Sequence, residues 1–248
     1  MTIHGPFLDA GIWINGYDFS GDHNAVSLEL SRAVQSDARF GYVSKSNVAA
    51  QHLIRFSGAG LWQAGADTVD PVLFAAAAAS PVPVAIVPDR TEGQVSYTFA
   101  VKTRYQLGGA VGELLPFEVG GETGAAIRET GVSATYADPA RRGLLLLDRD
   151  LTLGVGNGTA FELGAIASGQ SLYAILHHMG PDEASTFTIQ SDALEAFGSP
   201  ATQVNWSAGY AAHSVVLAVV AGPVTDSWWR ATWNAADDDE VAIFAAIA

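Results

Sequence analysis

The residues able to ligate a metal or carry out catalysis are few, and they are poorly grouped. His177-His178 is an adjacent pair of metal-ligating type, but neighbours on a strand point to opposite faces and no third ligand is spaced to join them. Asp237-Asp238-Asp239-Glu240 offers oxygens that could take a Ca²⁺ ion. It lacks the alternating spacing of a calcium loop, and it lies between two strand candidates. It therefore reads as a solvated acidic turn that also guards the edge of the last strand. Gly154-Val155-Gly156-Asn157-Gly158 has glycines but neither the lysine nor the helix of a phosphate loop, so it reads as a β-turn. There is no Gly-x-Ser-x-Gly elbow. A glycosidase needs two carboxylates, but with 26 Asp and Glu in the chain their presence says little. Zero Cys removes disulfides, thiolate metal sites and thiol nucleophiles together. No catalytic, cofactor-binding or metal-ligating residue is assigned, and the expectation is a protein that is not an enzyme.

The aromatic cluster is the remaining chemical feature. In Trp228-Trp229-Arg230-Ala231-Thr232-Trp233, strand periodicity puts Trp229, Ala231 and Trp233 on one face and Trp228, Arg230 and Thr232 on the other. One face is core. The other sets an aromatic ring beside Arg230, a pair that could stack on a sugar or on a partner chain, so Trp228 and Arg230 are the candidate surface ligand contacts.

Composition fits a folded, acidic chain. Of 248 residues 49% are hydrophobic and 15% charged, enough apolar material for substantial cores. The formal charge of −14 argues against a protein that grips a phosphate backbone, although an acidic wall can face nucleic acid and repel it. No apolar run is long enough to span a bilayer as a helix, and the first residues lack a secretory pattern, so synthesis in the cytoplasm is expected. Only two of the twelve basic residues are lysines, Lys45 and Lys102, which fits a GC-rich genome or adaptation to high salt equally.

The elements that would position these residues are mostly strands. Asn15-Gly16 between Ile12-Trp13-Ile14 and Tyr17-Asp18-Phe19 signals a hairpin. Val26, Leu28 and Leu30 alternate with polar residues, as do Val95, Tyr97, Phe99 and Val101. Gly58 and Gly60 mark a bulge or a close backbone approach. One short helix is expected from Asp70 as cap and Pro71 at the first position into Ala75–Ala79. Leu114–Val119 and Ala125–Tyr136 are further strand candidates. Ala137–Gly143 is polar and turn-rich, the best linker, which divides the chain into 1–136 and 144–248. Beyond it Leu144–Leu147, Ser171–Leu176, Thr186–Gln190, Gln203–Trp206, His213–Val220, Ser227–Trp233 and Val241–Ala248 come at regular intervals. That is the spacing of a β-sandwich, jelly-roll or immunoglobulin-like.

In order, residues 1 to about 135 present Asn15-Gly16-Tyr17-Asp18-Phe19-Ser20, Val26–Arg32, Phe56–Trp62, the helix, the strand ending Arg104-Tyr105, and Gly108–Phe117. This resembles the tail tube proteins of long-tailed bacterial and archaeal viruses. Asp37-Ala38-Arg39-Phe40-Gly41 only partly fits the segment that follows the second strand in that family. Ser168–Ala174, Thr188–Asp192 and Thr225–Arg230 are similar to sandwich domains appended to viral tail proteins. The resemblance implies a mainly β fold, a tail-tube-type sandwich or barrel with one short helix followed by a second sandwich facing outward. It implies a virion protein forming stacked, hexameric rings around a channel through which viral DNA passes without specific binding. Its partners would be copies of itself, other tail proteins and a host-surface glycan at the second half. Val26, Leu28, Leu30, Val95, Tyr97, Phe99 and Val101 would be inter-subunit tube strands, with Glu29 or Ser96 on a polar face. The rivals are a glycan- or receptor-binding surface protein and a β-sandwich glycoside hydrolase.

Overall fold

The computed structural model describes residues 9–37, 46–63, 65, 68–78, 81–90, 95–110, 114–123, 127–128, 135–136, 140–151, 154–180, 184–207, 210–235 and 239–248. Residues 38–41, 111–113, 137–139 and 237–238, which carry parts of the motifs named above, lie outside them. The fold is mainly β, with one helix among the described residues.

β1 (Gly11–Ile14) and β2 (Tyr17–Asp18) make the expected hairpin, with φ of 52° at Asn15 and 87° at Gly16, as a type I′ turn requires. β3 (His23–Asp37) and β4 (Ser46–Leu61) form a long antiparallel pair. α1 (Val69–Ala78) begins before the expected cap: the Thr68 carbonyl accepts from the Val72 N–H at 3.4 Å. Asp70 thus sits inside the first turn, where its carboxylate suits the positive helix end and accepts from the Tyr105 hydroxyl at 2.9 Å. β5 (Val82–Val87), β6 (Val95–Leu107) and β7 (Pro116–Thr123) follow, Pro116 taking the first strand position. β8 (Ile127–Arg128) and β9 (Thr135–Tyr136) pair only with each other.

The second half comprises β10 (Arg141–Leu151), β11 (Gly154–Asn157), β12 (Phe161–Glu162), β13 (Ser171–His178), β14 (Thr186–Asp192), β15 (Ala201–Ser207), β16 (Ser214–Ala221), β17 (Trp228–Ala235) and β18 (Asp239–Ile247). An eleven-stranded sheet runs β16-β13-β18-β10-β6-β5-β1-β2, with β7, β4 and β3 branching from β6. A five-stranded sheet holds β11, β12, β17, β14 and β15.

Three clusters make the core. One face of β1, β5, β6, β7 and β4 packs on Val72, Leu73 and Ala76 of α1. Leu146, Leu172, Leu176 and Val241 pack on Phe187 and Trp229 of the five-stranded sheet. The third joins the halves: Trp13, Ala85 and Val87 meet Leu145, Ile175, Ala242 and Phe244. The β10-β18-β13 layer is therefore covered on both faces, which is why Leu144–Leu147 and Val241–Ala246 are unbroken apolar runs and not alternating ones.

Three expectations are corrected. Arg141–Gly143 of the anticipated linker is strand, paired with Ser96–Thr98. Arg141 is only 7% exposed, its guanidinium 3.6 Å from the centre of the Tyr173 ring, so a residue that reads as boundary is packed cation on aromatic. Ser96 is buried, not on an open polar face, because it shares its side of β6 with Thr98, whose neighbours Ala85 and Trp13 are capped by the second half. Asp239 is buried too, against His178, and is no part of a solvated turn.

Candidate functional site: open strand edges

Most strands of the large sheet have neighbours on both sides, and β6 is where the pattern changes. Its start pairs with β10 and its end, Val101–Leu107, with β7. On the opposite side β5 reaches only from Tyr97 to Val101. Among the described residues, Thr103–Leu107 therefore presents one edge without a strand partner. β7 pairs in turn with β4, and β4 with β3, which has no further neighbour among the described residues. The four-strand segment β6-β7-β4-β3 is thus open at both ends.

Each open edge carries apolar side chains on the helix side of the sheet. On β3 Val26 and Leu28 are half-buried against the first core and Leu30 is 53% exposed. On β6 Tyr105 is half-buried and Leu107 is 43% exposed. Val95 and Tyr97 are half-buried while Phe99 and Val101 are buried, and Tyr97 and Val101 have strand partners on both sides. The unpaired edge of β6 begins only beyond them. Tyr105 and Leu107 escaped the sequence reading because periodicity marks a face and cannot say where a neighbouring strand ends.

The other face of the segment is polar. Ser27 and Ser57 hydroxyls lie 2.7 Å apart, and Arg55 Nε donates to Glu122 at 3.2 Å with both side chains exposed. Such a pair is worth little in water. With Glu29 and Arg104 these residues line a trough of about 520 Å³. Close strand approach is enforced here by glycine: a Cβ on Gly60 would sit 1.9 Å from the Asp22 carbonyl oxygen, where β3 bulges between His23 and Ala25.

The other candidates are placed as follows. Trp229 and Ala231 are core, and Trp228 and Arg230 are half-buried on the opposite face. Arg230 donates from Nε and Nη2 to the Gln190 side-chain amide oxygen Oε1 at 3.1 and 2.9 Å and lies 4.2 Å over the Phe197 ring. His177 and His178 do face opposite ways and both are fully buried. His177 Nδ1 accepts from the Gly16 N–H at 3.3 Å, tying the first hairpin to β13, and burial pushes its pKa down to about 3. Tyr17 stacks on His213 beside it, ring centres 4.0 Å apart. His178 Nε2 lies 2.8 Å from Asp239 Oδ1, close in distance but poorly angled for a hydrogen bond. Gly154–Asn157 of the glycine-rich segment is strand β11, paired with Thr232–Ala235, and not the expected turn; on it Gly156 lets the Trp233 ring lie across the strand, a packing role. No group of three metal-ligating side chains forms among the described residues.

No family model matches the chain, and no curated protein does. Among solved structures it is similar to the SPP1 Dit protein, described as a paradigm of the hub adsorption apparatus in Gram-positive infecting phages. Identity is 9% and the TM-score 0.32, over 96% of this chain and 99% of that one. Values of this size do not establish a common fold.

Proposed function

We propose that the chain is a structural subunit of a viral tail, building the tail tube by closing into stacked, hexameric rings around a channel for DNA. The observation that carries this reading is the four-strand segment open at both edges. An edge that pairs with the opposite edge of an identical copy makes a heterologous contact, and such contacts close into a ring when the rotation per copy allows it. The apolar side chains at the two edges lie on the same face, so Leu30 of one copy would extend the core beside Tyr105 of the next. α1 fills that face, leaving the polar face with Ser27, Glu29 and Arg104 to line a channel. The excess of 26 acidic over 12 basic residues suits a wall along which a polyanion slides without adhering. Beyond Arg55, β3 and β4 pair only with each other among the described residues, and a lone two-stranded ribbon is marginal in water, so neighbouring copies would also be needed to steady it. Electron microscopy of the purified protein tests the reading. Rings are expected, and a monodisperse monomer at high concentration across a range of salt rejects it.

A second reading, compatible with the first, assigns glycan contact to the outer face of the five-stranded sheet. Its support is Trp228, half-exposed beside an Arg230 already immobilised by Gln190 and Phe197. A glycan array on which binding appears and is lost with Trp228→Ala supports it; an array without binding removes it.

A further inference from the structure

At one end of the open segment, three adjacent strand ends carry large apolar side chains in water. Leu61 is 45% exposed and Trp62 36% at the end of β4, Leu107 is 43% exposed at the end of β6, and Leu114 and Leu115, entering β7, are 76% and 37% exposed. The strand ends adjoin: the Trp62 N–H donates to the Leu115 carbonyl at 2.8 Å, Leu61 pairs with Pro116 and Leu107 with Phe117. Five such residues on adjoining strand ends, with the Asp22 carboxylate beside them held by the Gln63 amide at 2.6 Å, form the kind of patch that monomeric proteins seldom leave open.

We infer that this patch is the surface through which one ring meets a second ring of the same chain, and that the contact is apolar in character. The inference rests on the ring reading above. If edges pair laterally, strand ends necessarily face the two rims, and these five residues then repeat around one rim. The occupant follows from charge. Each copy carries a formal −14, so two rings repel one another over most of their surface and can approach most closely where the surface is uncharged and gains by leaving water. Such a contact strengthens as salt screens the repulsion, whereas one built from ion pairs weakens.

The test uses the full chain at low and high salt, with wild type and Leu114→Glu compared by electron microscopy and sedimentation, and thermal melting as a check on folding. Leu114 is exposed enough for the substitution to leave the fold intact. The expected result is wild-type rings that stack, more so at high salt, and Leu114→Glu rings with the same diameter and melting temperature that stay single. Trp62→Ala should shift the balance the same way. Stacks that persist unchanged in Leu114→Glu, or that dissolve as salt rises, overturn the inference and leave the ring reading in place. Wild-type particles that pair through the patch without ever forming rings, and that Leu114→Glu turns into monomers, overturn the ring reading and with it the rim assignment. Monomers throughout overturn both.

Discussion

At the scale of single residues, two buried groups should shape the acid response in opposite senses. His177 is held neutral with a pKa of about 3 by burial. Between its unfolded value near 6.5 and that folded value, the unfolded chain takes up a proton that the folded one refuses, so stability is present above about pH 6.5 and is lost as pH falls. The slope approaches about 1.4 kcal/mol per pH unit. His23, also lowered mainly by burial, adds to the same trend. Asp148 does the reverse. Burial raises it to about 6, although Arg90 Nη2 at 2.6 Å pulls the other way. Its contribution is fully present below about 3.8 and disappears as pH rises through 6. Melting temperatures from pH 7 to 4 should therefore fall less steeply in His177→Asn and more steeply in Asp148→Asn than in the wild type. Parallel curves would show that neither group controls the response. At Gly60 the expected cost is steric: a methyl 1.9 Å from the Asp22 carbonyl forces β3 and β4 apart, and Gly60→Ala should lose about 1–3 kcal/mol in a denaturant titration. The sequence alone marked Gly60 as a bulge or close approach and put His177 and His178 on opposite faces, both from local rules. It could not supply their partners, because Gly16 is 161 residues from His177 and long-range register leaves no local trace.

At the scale of elements, the strands were legible and their surroundings were not. Each apolar stretch anticipated after Gly143 lies largely within a strand, because turn residues and β-branched runs are local signals. Alternation at Val26–Leu30 told the faces apart correctly, since Ser27 and Glu29 are exposed opposite Val26 and Leu28. The same alternation misled at Ser96, where a second layer covers the polar side. A face is assigned by period, whereas its cover is assigned by topology. The open edges follow from topology alone, and they make a prediction at this scale. Leu30→Lys should fold normally yet prevent ring formation, since an edge lysine blocks strand addition. Rings that ignore the substitution would mean that other surfaces make the lateral contact.

At the scale of the molecule, the two halves are expected to behave as one cooperative unit. A polar, turn-rich stretch marks 137–143 as a boundary in the sequence, yet β10 begins at Arg141 and carries the large sheet from β6 into β18. The buried junction is substantial. Trp13 is fully buried with its ring edge-on to Phe244, centres 5.1 Å apart, and the Arg90 guanidinium lies 5.3 Å from the centre of the Trp13 ring while holding Asp148. The Gly16 turn adds its bond to His177 and the Tyr17 stack on His213. Trp13→Ala would empty the largest side chain of this junction, a change that costs about 3–5 kcal/mol in a packed core. If the junction couples the halves, the variant should melt in a single transition at a lower temperature. Hydrogen exchange should then speed up alike in β13 and β18 of the second half and in β5 and β6 of the first. If each half is stable by itself, the same substitution should split the transition in two, leaving the amides of β14 and β17 as protected as in the wild type while β1 and β5 exchange. A residues 144–248 fragment gives the complementary reading. Separated from its partner it exposes Leu145, Ile175 and Phe244 on one flat face, so aggregation is expected where an independent sandwich would stay monomeric.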